Sequence, residues 1–545
     1  MPGRLTSQLE PQRPVPGTHP RSAGPWDIAA WILLAALAVL ALLTFRDYAI
    51  SNDEEVQHRY GELIVAYYQS GMTDRSVFEY KNLYLYGGLF DTVAVLLARV
   101  IPADVFAIRH VMCAITGIGG LAAVWATARL LAGPRAGLLA LAALAVCGPW
   151  FGSMFNHTKD IPFAAAMMGA TYFLIRATRG LPRPRLTDLA FFGLLLGMAL
   201  GQRALGLLLV FYVPLAIAIH VPAPVTAAGA ARFVLRSLLL FVPALALGYL
   251  IMIAAWPWAA LSLFNPIRGL FAFAHFQYPI PTRLAGETFL MADVPRWYIP
   301  AYLAIKLPIV MLLGAAMGIL ASAATLREQR AREAAFVAFT AAFPVACQVI
   351  MHGPSFSGLR HFLFVLPPIA VLAGTGFDAV LAWLEARRRV FAIAAKAVLA
   401  LALAWPASQI ARLHPFESLY FNELVGGLSG ASSRYDTDYW VNSMHEMVAG
   451  LEEFLDRENI QQPRWFLVAV CGERLPFEKE AEIRKGRLRW AQGNQPADFF
   501  IAPTHHGCDR AIDGKVILTV ERLGVPIGVV KDRRSITQPH LVNRN

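Results

Sequence analysis

Two short charged clusters have the residue types and spacing for chemistry. Asp53 and Glu54, with Glu55 beside them, follow the first long apolar stretch in SNDEEVQHRYGELI, and Lys159–Asp160 lies between two later apolar stretches in NHTKDIPFA. A carboxylate within reach of an attacking hydroxyl or amine can take its proton as general base. Fixed cations can absorb the charge of a departing phosphate, which leaves as an anion and needs no general acid. Lys159, Arg203 in LGQRALG, and Arg360–His361 supply such cations. A carboxylate at a helix N-terminus is stabilised as the anion, which weakens it as a base but suits it to a divalent metal. Asp53 therefore reads as either base or metal ligand. The plainer readings carry weight too: acidic residues outside a membrane carry no topological penalty, and a lone boundary lysine commonly snorkels to water. A Lys–Asp pair directly before Ile–Pro is less ordinary, because ionisable groups at a membrane boundary are functional suspects.

The elements that position these residues are membrane spans. Of 545 residues 57% are hydrophobic and 16% charged, against about 25% charged in soluble domains, so most of the chain belongs in lipid. Twelve apolar stretches occur: 26–45, 83–101, 105–131, 135–153, 160–176, 186–201, 204–221, 231–256, 299–323, 335–352, 362–384 and 390–411. Basic residues favour the cytoplasmic side. They cluster at Arg129/Arg135, at Arg176/Arg179/Arg183/Arg185, at Arg232/Arg236, at Arg327/Arg330/Arg332 and at Arg387/Arg388/Arg389, with Arg4, Arg13 and Arg21 in the tail. If all twelve stretches cross, nearly every later cluster falls on the opposite side from the tail. If 83–101, which carries Asp91, Arg99, Gly87 and Gly88, stays in the outer interface, all six groups share one side. About eleven crossings result, with the N-terminus inside and the C-terminus outside. Asp53, Asp160, Arg203 and Arg360 then share the outer face, near headgroup depth.

The expected fold is an all-α polytopic membrane protein with a small C-terminal α/β domain. Its parts are a cytoplasmic tail (1–25), a transmembrane domain (26–411) with an outer loop at 46–104, and an extracytoplasmic domain (412–545). Within 54–68, Val56, Tyr60, Leu63, Ile64 and Tyr67 fall on one helical face, and Glu55, His58, Arg59 and Glu62 on the other. The spacing predicts an amphipathic helix lying on the membrane, capped by Asn52 with Glu55. In the last domain, 442–457 has helical patterning, and short apolar runs at 465–470, 498–502, 516–522 and 525–531 predict strands. Gly524 and Pro526 mark a hairpin between the last two. Cys471 and Cys508 are a candidate disulfide if that domain is extracytoplasmic. No metal-type Cys/His spacing appears, and His505–His506 reads as a solvated turn. The net charge of +11 follows from the flanks of the spans, and no basic stripe with interleaved aromatics suggests nucleic acid.

SNDEEVQHRYGELI, NLYLYGGLFD, NHTKDIPFA and RHFLFVLPPIAVLAG, with HPFESLYFNELVGG and YDTDYWVNSMHE further on, resemble the GT-C superfamily of membrane glycosyltransferases. The similarity is to bacterial family 39-like proteins related to protein O-mannosyltransferases and the lipid A aminoarabinose transferase. The resemblance covers most of the chain. It implies a polyprenyl-phosphate-linked sugar donor, a periplasmic acceptor, transfer with inversion, and residence in the bacterial inner membrane. It further implies that Asp53 matches the essential first-loop aspartate, with Glu54 beside it, and that Asp160 matches the second outer acidic position. Lys159 stands where better-known members have an apolar residue, and the C-terminal domain is not the sugar-binding insert of the mannosyltransferases.

The leading expectation is therefore an inverting glycosyltransferase. Asp53, Glu54 and Asp160 are its catalytic candidates, with Asp53 acting directly or through a divalent metal. Lys159, Arg203, Arg360 and His361 are the candidates for holding the carrier phosphate. A transporter of lipid-linked sugars predicts charges at the membrane midplane and paired broken helices in two halves, whereas these charges gather at one face and no half-to-half symmetry appears. A binding protein that retains the fold without catalysis is the third reading, and the intact carboxylates weigh against it.

Overall fold

Long apolar runs in lipid must satisfy their own backbone hydrogen bonds, so they coil. A computed structural model describes residues 24–222, 226–275, 278–458, 465–492 and 496–537. The basic tail residues Arg4, Arg13 and Arg21 lie outside the described residues. From the N-terminus, α1 (Pro25–Thr44) precedes α2 (Glu54–Gln69) and the ten-residue α3 (Leu89–Ala98). Next come α4 (Val105–Ala132), α5 (Pro134–Ala145), α6 (Gly148–Asn156) and α7 (Asp160–Arg179). They are followed by α8 (Leu186–Leu200), α9 (Leu207–Ala218) and α10 (Ala227–Ala255). Two short helices, α11 (Pro257–Ala260) and α12 (Asn265–Ala274), lead to a hairpin of β1 (Pro281–Leu284) and β2 (Glu287–Leu290). The membrane region closes with α13 (Tyr298–Lys306), α14 (Ile309–Ala324), α15 (Gln329–Met351), α16 (Leu366–Glu385) and α17 (Arg389–Leu413).

Among the described residues seven helices are long and apolar enough to span a bilayer, and up to nine spans result if each bent pair is one. The bent pairs are α5 with α6, at 68°, and α13 with α14, at 111°. The second bend has a local cause: Pro308 bars its predecessor from helical backbone, and Leu307 takes ψ 144°. The eleven crossings expected from sequence also count 186–201 and 204–221, where the structure has the shorter apolar helices α8 and α9. The expected interfacial stretch 83–101 opens with a 3-10 turn at Leu83–Leu85 and has α3 as its α-helix, about 15 Å long and half a hydrocarbon core.

Two of the basic clusters meet acidic partners at one end of the bundle. Arg129 pairs with Asp27, Arg135 with Asp378 and Glu385, Arg176 with Asp188, and Arg179 with Glu333. These pairs tie the start of α1 to the end of α4, and the end of α7 to the starts of α8 and α15. At the centre, α14 and α16 touch backbone to backbone: a Cβ on Gly376 would lie 2.1 Å from the Gly314 carbonyl oxygen. Small residues allow this approach where lipid gives no hydrophobic drive between helices.

Beyond α17 the chain makes α18 (Gly427–Ala431) and α19 (Met444–Arg457), then a five-stranded sheet. Its elements are β3 (Phe466–Val470), α20 (Arg474–Ile483), β4 (Leu488–Trp490), β5 (Phe499–Pro503), β6 (Lys515–Arg522) and β7 (Val525–Asp532), with α21 (Arg534–Thr537) behind. The strand order is β4-β3-β5-β7-β6, parallel around β3 and antiparallel around β7. Four strands match the expected apolar runs; the three-residue edge strand β4 has no apolar run to announce it. The β6–β7 hairpin turns on Leu523 and Gly524, at φ 52° and 74°, as a two-residue turn matching strand twist requires. Cys471 and Cys508 are disulfide-bonded, with Cα atoms 6.4 Å apart.

Candidate active site

The segment after α1 decides where its two carboxylates point. The expected Asn52–Glu55 cap does not form. Instead Glu54 reaches back along the chain, accepting from the Ser51 N–H at 2.9 Å and the Ser51 hydroxyl at 3.2 Å, while Asp53 stands at the N-cap with no side-chain cap bond. Glu55 is left exposed on the outer face of α2. Glu54 is thereby turned into the protein, fully buried, 3.2 Å from His110 Nε2 and 3.5 Å from Arg109 Nε. Burial pushes its carboxyl up, but His110 and Arg109 outweigh that and hold it below the usual range. Arg109 also pairs with Asp91 at 2.8 Å and donates to Thr158 at 3.0 Å. Glu54, named with Asp53 as a catalytic candidate, thus belongs to a buried network behind the site, because its carboxylate is drawn back to Ser51 and inward to His110 and Arg109.

Asp53 lies outside that network and keeps 42% of its side chain exposed. Arg360 donates to its Oδ2 at 2.8 Å. The same guanidinium lies 3.9 Å from Asp160 Oδ2, while Arg203 pairs with Asp160 Oδ1. Four residues spread over 307 positions of sequence therefore form one acid–guanidinium chain. Arg360 also lies 4.3 Å from the Trp440 ring centroid, over its face. Lys159, buried in the turn that precedes α7, sets its ammonium 4.3 Å from the Tyr86 ring and has no carboxylate within ion-pairing distance among the described residues. Burial lowers it to about 8, with Asp91 and Asp53 opposing. His361 turns to the Phe356 ring, 4.7 Å away, and is joined to neither carboxylate.

The frame around this cluster was not legible from residue types. Asn156 donates to the Ala49 carbonyl at 3.0 Å and to Asn442 Oδ1 at 2.8 Å, linking the first outer loop, α6 and the segment before α19. His157 packs against the rings of Tyr439 and Trp440, and burial lowers it to about 3, so it stays neutral. Trp440, Tyr439, His157, Tyr86 and Arg109 were not singled out for the site; the available signal was the aromatic–acidic string YDTDYW.

Three cations face two carboxylates here. Arg203 Nε and Arg360 Nε are buried without a hydrogen-bond acceptor, and Lys159 meets the Tyr86 ring in place of an ion-pair partner. Such a surplus suits an anionic ligand. Because Asp53 and Asp160 are already held by guanidinium groups, a divalent ion at Asp53 would have to draw its remaining ligands from substrate or water. The two histidines read as a solvated turn prove half-buried, His506 Nε2 lying 3.2 Å from Asp436.

The fold defines a polytopic helical membrane protein with an appended α/β domain and a charged cluster at one end of its bundle. The family of dolichyl-phosphate-mannose-protein mannosyltransferases matches residues 90–258. That stretch, which holds Asp91, Arg109, Lys159, Asp160 and Arg203, bears out the relation to GT-C membrane glycosyltransferases read from the sequence; Asp53 and Arg360 lie outside it. Among solved structures, ArnT from Cupriavidus metallidurans bound to undecaprenyl phosphate is 14% identical, with 92% of this chain and 97% of that one covered and a TM-score of 0.47. Its apo form gives 16%, 92%, 98% and 0.46. The oligosaccharyltransferase AglB from Archaeoglobus fulgidus, in complex with an inhibitory peptide and a dolichol-phosphate, is 13% identical, with 88% and 69% covered and a TM-score of 0.46. No curated protein sequence matches this chain.

Proposed function

We propose that this protein is an inverting glycosyltransferase that moves a sugar from a polyprenyl-phosphate carrier to a hydroxyl of a lipid, glycan or protein on the outer side of a bacterial inner membrane. The carrying observation is the set of unspent cationic donors on Arg203, Arg360 and Lys159 around Asp53 and Asp160. In this reading the carrier phosphate takes the free N–H groups and the ammonium. The acceptor oxygen attacks the anomeric carbon, the bond to the phosphate oxygen breaks with its electron pair leaving on phosphate, and the acceptor proton passes to Asp53. Asp53 suits that role because it is the exposed carboxylate, while Asp160 stays buried and holds Arg203 and Arg360 in place. Glu54 acts through Ser51 and Arg109 as a positioning residue. The gathering of Arg129, Arg135, Arg176 and Arg179 at the other end of the bundle supports a cytoplasmic N-terminus and a periplasmic domain over 412–545, beyond a membrane domain at 26–411.

The test is turnover with a panel of polyprenyl-phosphate sugars and membrane acceptors. Asp53→Asn should lower the rate about 10²–10⁴-fold, the usual worth of a general base, and leave polyprenyl-phosphate binding in place. A variant as active as the native protein removes Asp53 from the mechanism.

A further inference from the structure

We propose that Asp436, His505 and His506 form a zinc site that fastens the C-terminal sheet domain to the segment covering the acid–guanidinium cluster. The inference is independent of the glycosyl-transfer reading. One ligand atom from each residue lies within 4.8 Å of the other two. Zinc bonds of about 2.0–2.2 Å in a tetrahedron set ligand atoms roughly 3.3–3.5 Å apart. The edge between His506 Nε2 and Asp436 Oδ1, at 3.2 Å, is already close to that length. His506 Nε2 is nonetheless buried without a partner in hydrogen-bonding geometry. His505 Nδ1 receives a long 3.4 Å contact from the Thr437 N–H. Two imidazoles and a carboxylate suit zinc among the divalent ions, with a fourth position left for water.

The surroundings hold these ligands in place. Thr282 Oγ1 donates to Asp436 Oδ2 at 2.5 Å, and the Arg283 N–H to Oδ1 at 2.9 Å. The Tyr302 hydroxyl accepts the Asp436 N–H at 3.0 Å. Outer hydrogen bonds of this kind orient a metal's ligands. On the other side, His506 and Gly507 take φ 53° and 70°, a left-handed turn uncommon for a non-glycine residue, beside the disulfide at Cys508. Three remote parts of the chain thus meet: β1, the segment before α19 and the turn after β5. Asp436 precedes Trp440 by only four residues, so an ion here would fix the segment whose indole covers Arg360.

The experiment uses the full chain, purified without a histidine tag, stripped with chelator and titrated with zinc and, separately, cobalt. The expected results are one zinc per chain and the visible absorption of tetrahedral cobalt. His505→Gln, His506→Gln and Asp436→Asn should each weaken zinc at least 10–100-fold, and Thr282→Val, which leaves every ligand intact, should cost roughly 10–100-fold. Native protein that takes up neither ion at micromolar concentration overturns the proposal, even if no variant folds. So does a His505→Gln/His506→Gln double variant that binds zinc as the native chain does.

Discussion

Arg360→Met tests the arrangement at its centre. Arg360 holds Asp53 at 2.8 Å and stands 3.9 Å from Asp160, so it shares one charge between the proposed base and its neighbour. Methionine keeps an unbranched stem against Trp440 and removes the charge. A bare Coulomb term of about 4 kcal/mol, at roughly 4 Å and an effective dielectric of about 20, is the ceiling for its pull on a bound phosphate. Part of that pull is spent on the two aspartates, so the net loss is that of one charge-assisted hydrogen bond, about 1.5–3 kcal/mol. The expected result is a Kd for polyprenyl phosphate raised roughly 10–150-fold. Native mass spectrometry can measure it, and so can tryptophan emission, since Trp440 lies beside the guanidinium. The fold should survive, because Asp160 keeps Arg203 and Asp53 is part-exposed. A well-folded variant that binds within about twofold of the native protein would refute the assignment of Arg360 to the carrier phosphate.

Other outcomes follow from the same geometry. Lys159, lowered to about 8 by burial, binds phosphate only while protonated. Polyprenyl-phosphate affinity should therefore fall as pH rises through about 8, and in Lys159→Met the fall in that range should disappear. Glu54→Gln removes one charge of a buried network and should destabilise the fold by about 3–5 kcal/mol, seen in denaturant unfolding; a neutral effect would show that Glu54 does not support Arg109. His414 is raised to about 8 by its bond to Glu417, against burial and with help from Asp47. A raised value means that its stabilisation is complete below about 6.5 and is lost as pH climbs through about 8. His414→Gln should flatten the thermal midpoint across that window, and an unchanged slope would remove His414 as the cause.

Asp53, Asp160, Arg203 and Arg360 could be named before any contact was known because the bilayer reduces topology to one question, which end of a span a residue occupies. The distribution of arginines gives an expectation for it, and the structure joins all four residues. The helical patterning of 54–68 was equally legible, since burial there follows a period of 3.6. The division of labour between Asp53 and Glu54 was not. Adjacent carboxylates differ in direction by about 100° on a helix, and the contacts of Glu54 with Ser51, His110 and Arg109 decide which of the two faces the site. His361 illustrates the same limit: it adjoins Arg360 in sequence but turns to Phe356.

Composition, basic clustering and apolar periodicity therefore sufficed for the membrane class and for the grouping of the charged residues, because each depends on local chemistry or on lipid as solvent. The convergence of Trp440 on His157 and Arg360, and of Asn442 and Ala49 on Asn156, depended on tertiary structure. So did the meeting of Thr282, Asp436 and His506. Such contacts arise from side-chain packing between segments far apart in sequence, 286 residues for Asn156 and Asn442 and 154 for Thr282 and Asp436, and no sequence period records which of them will touch.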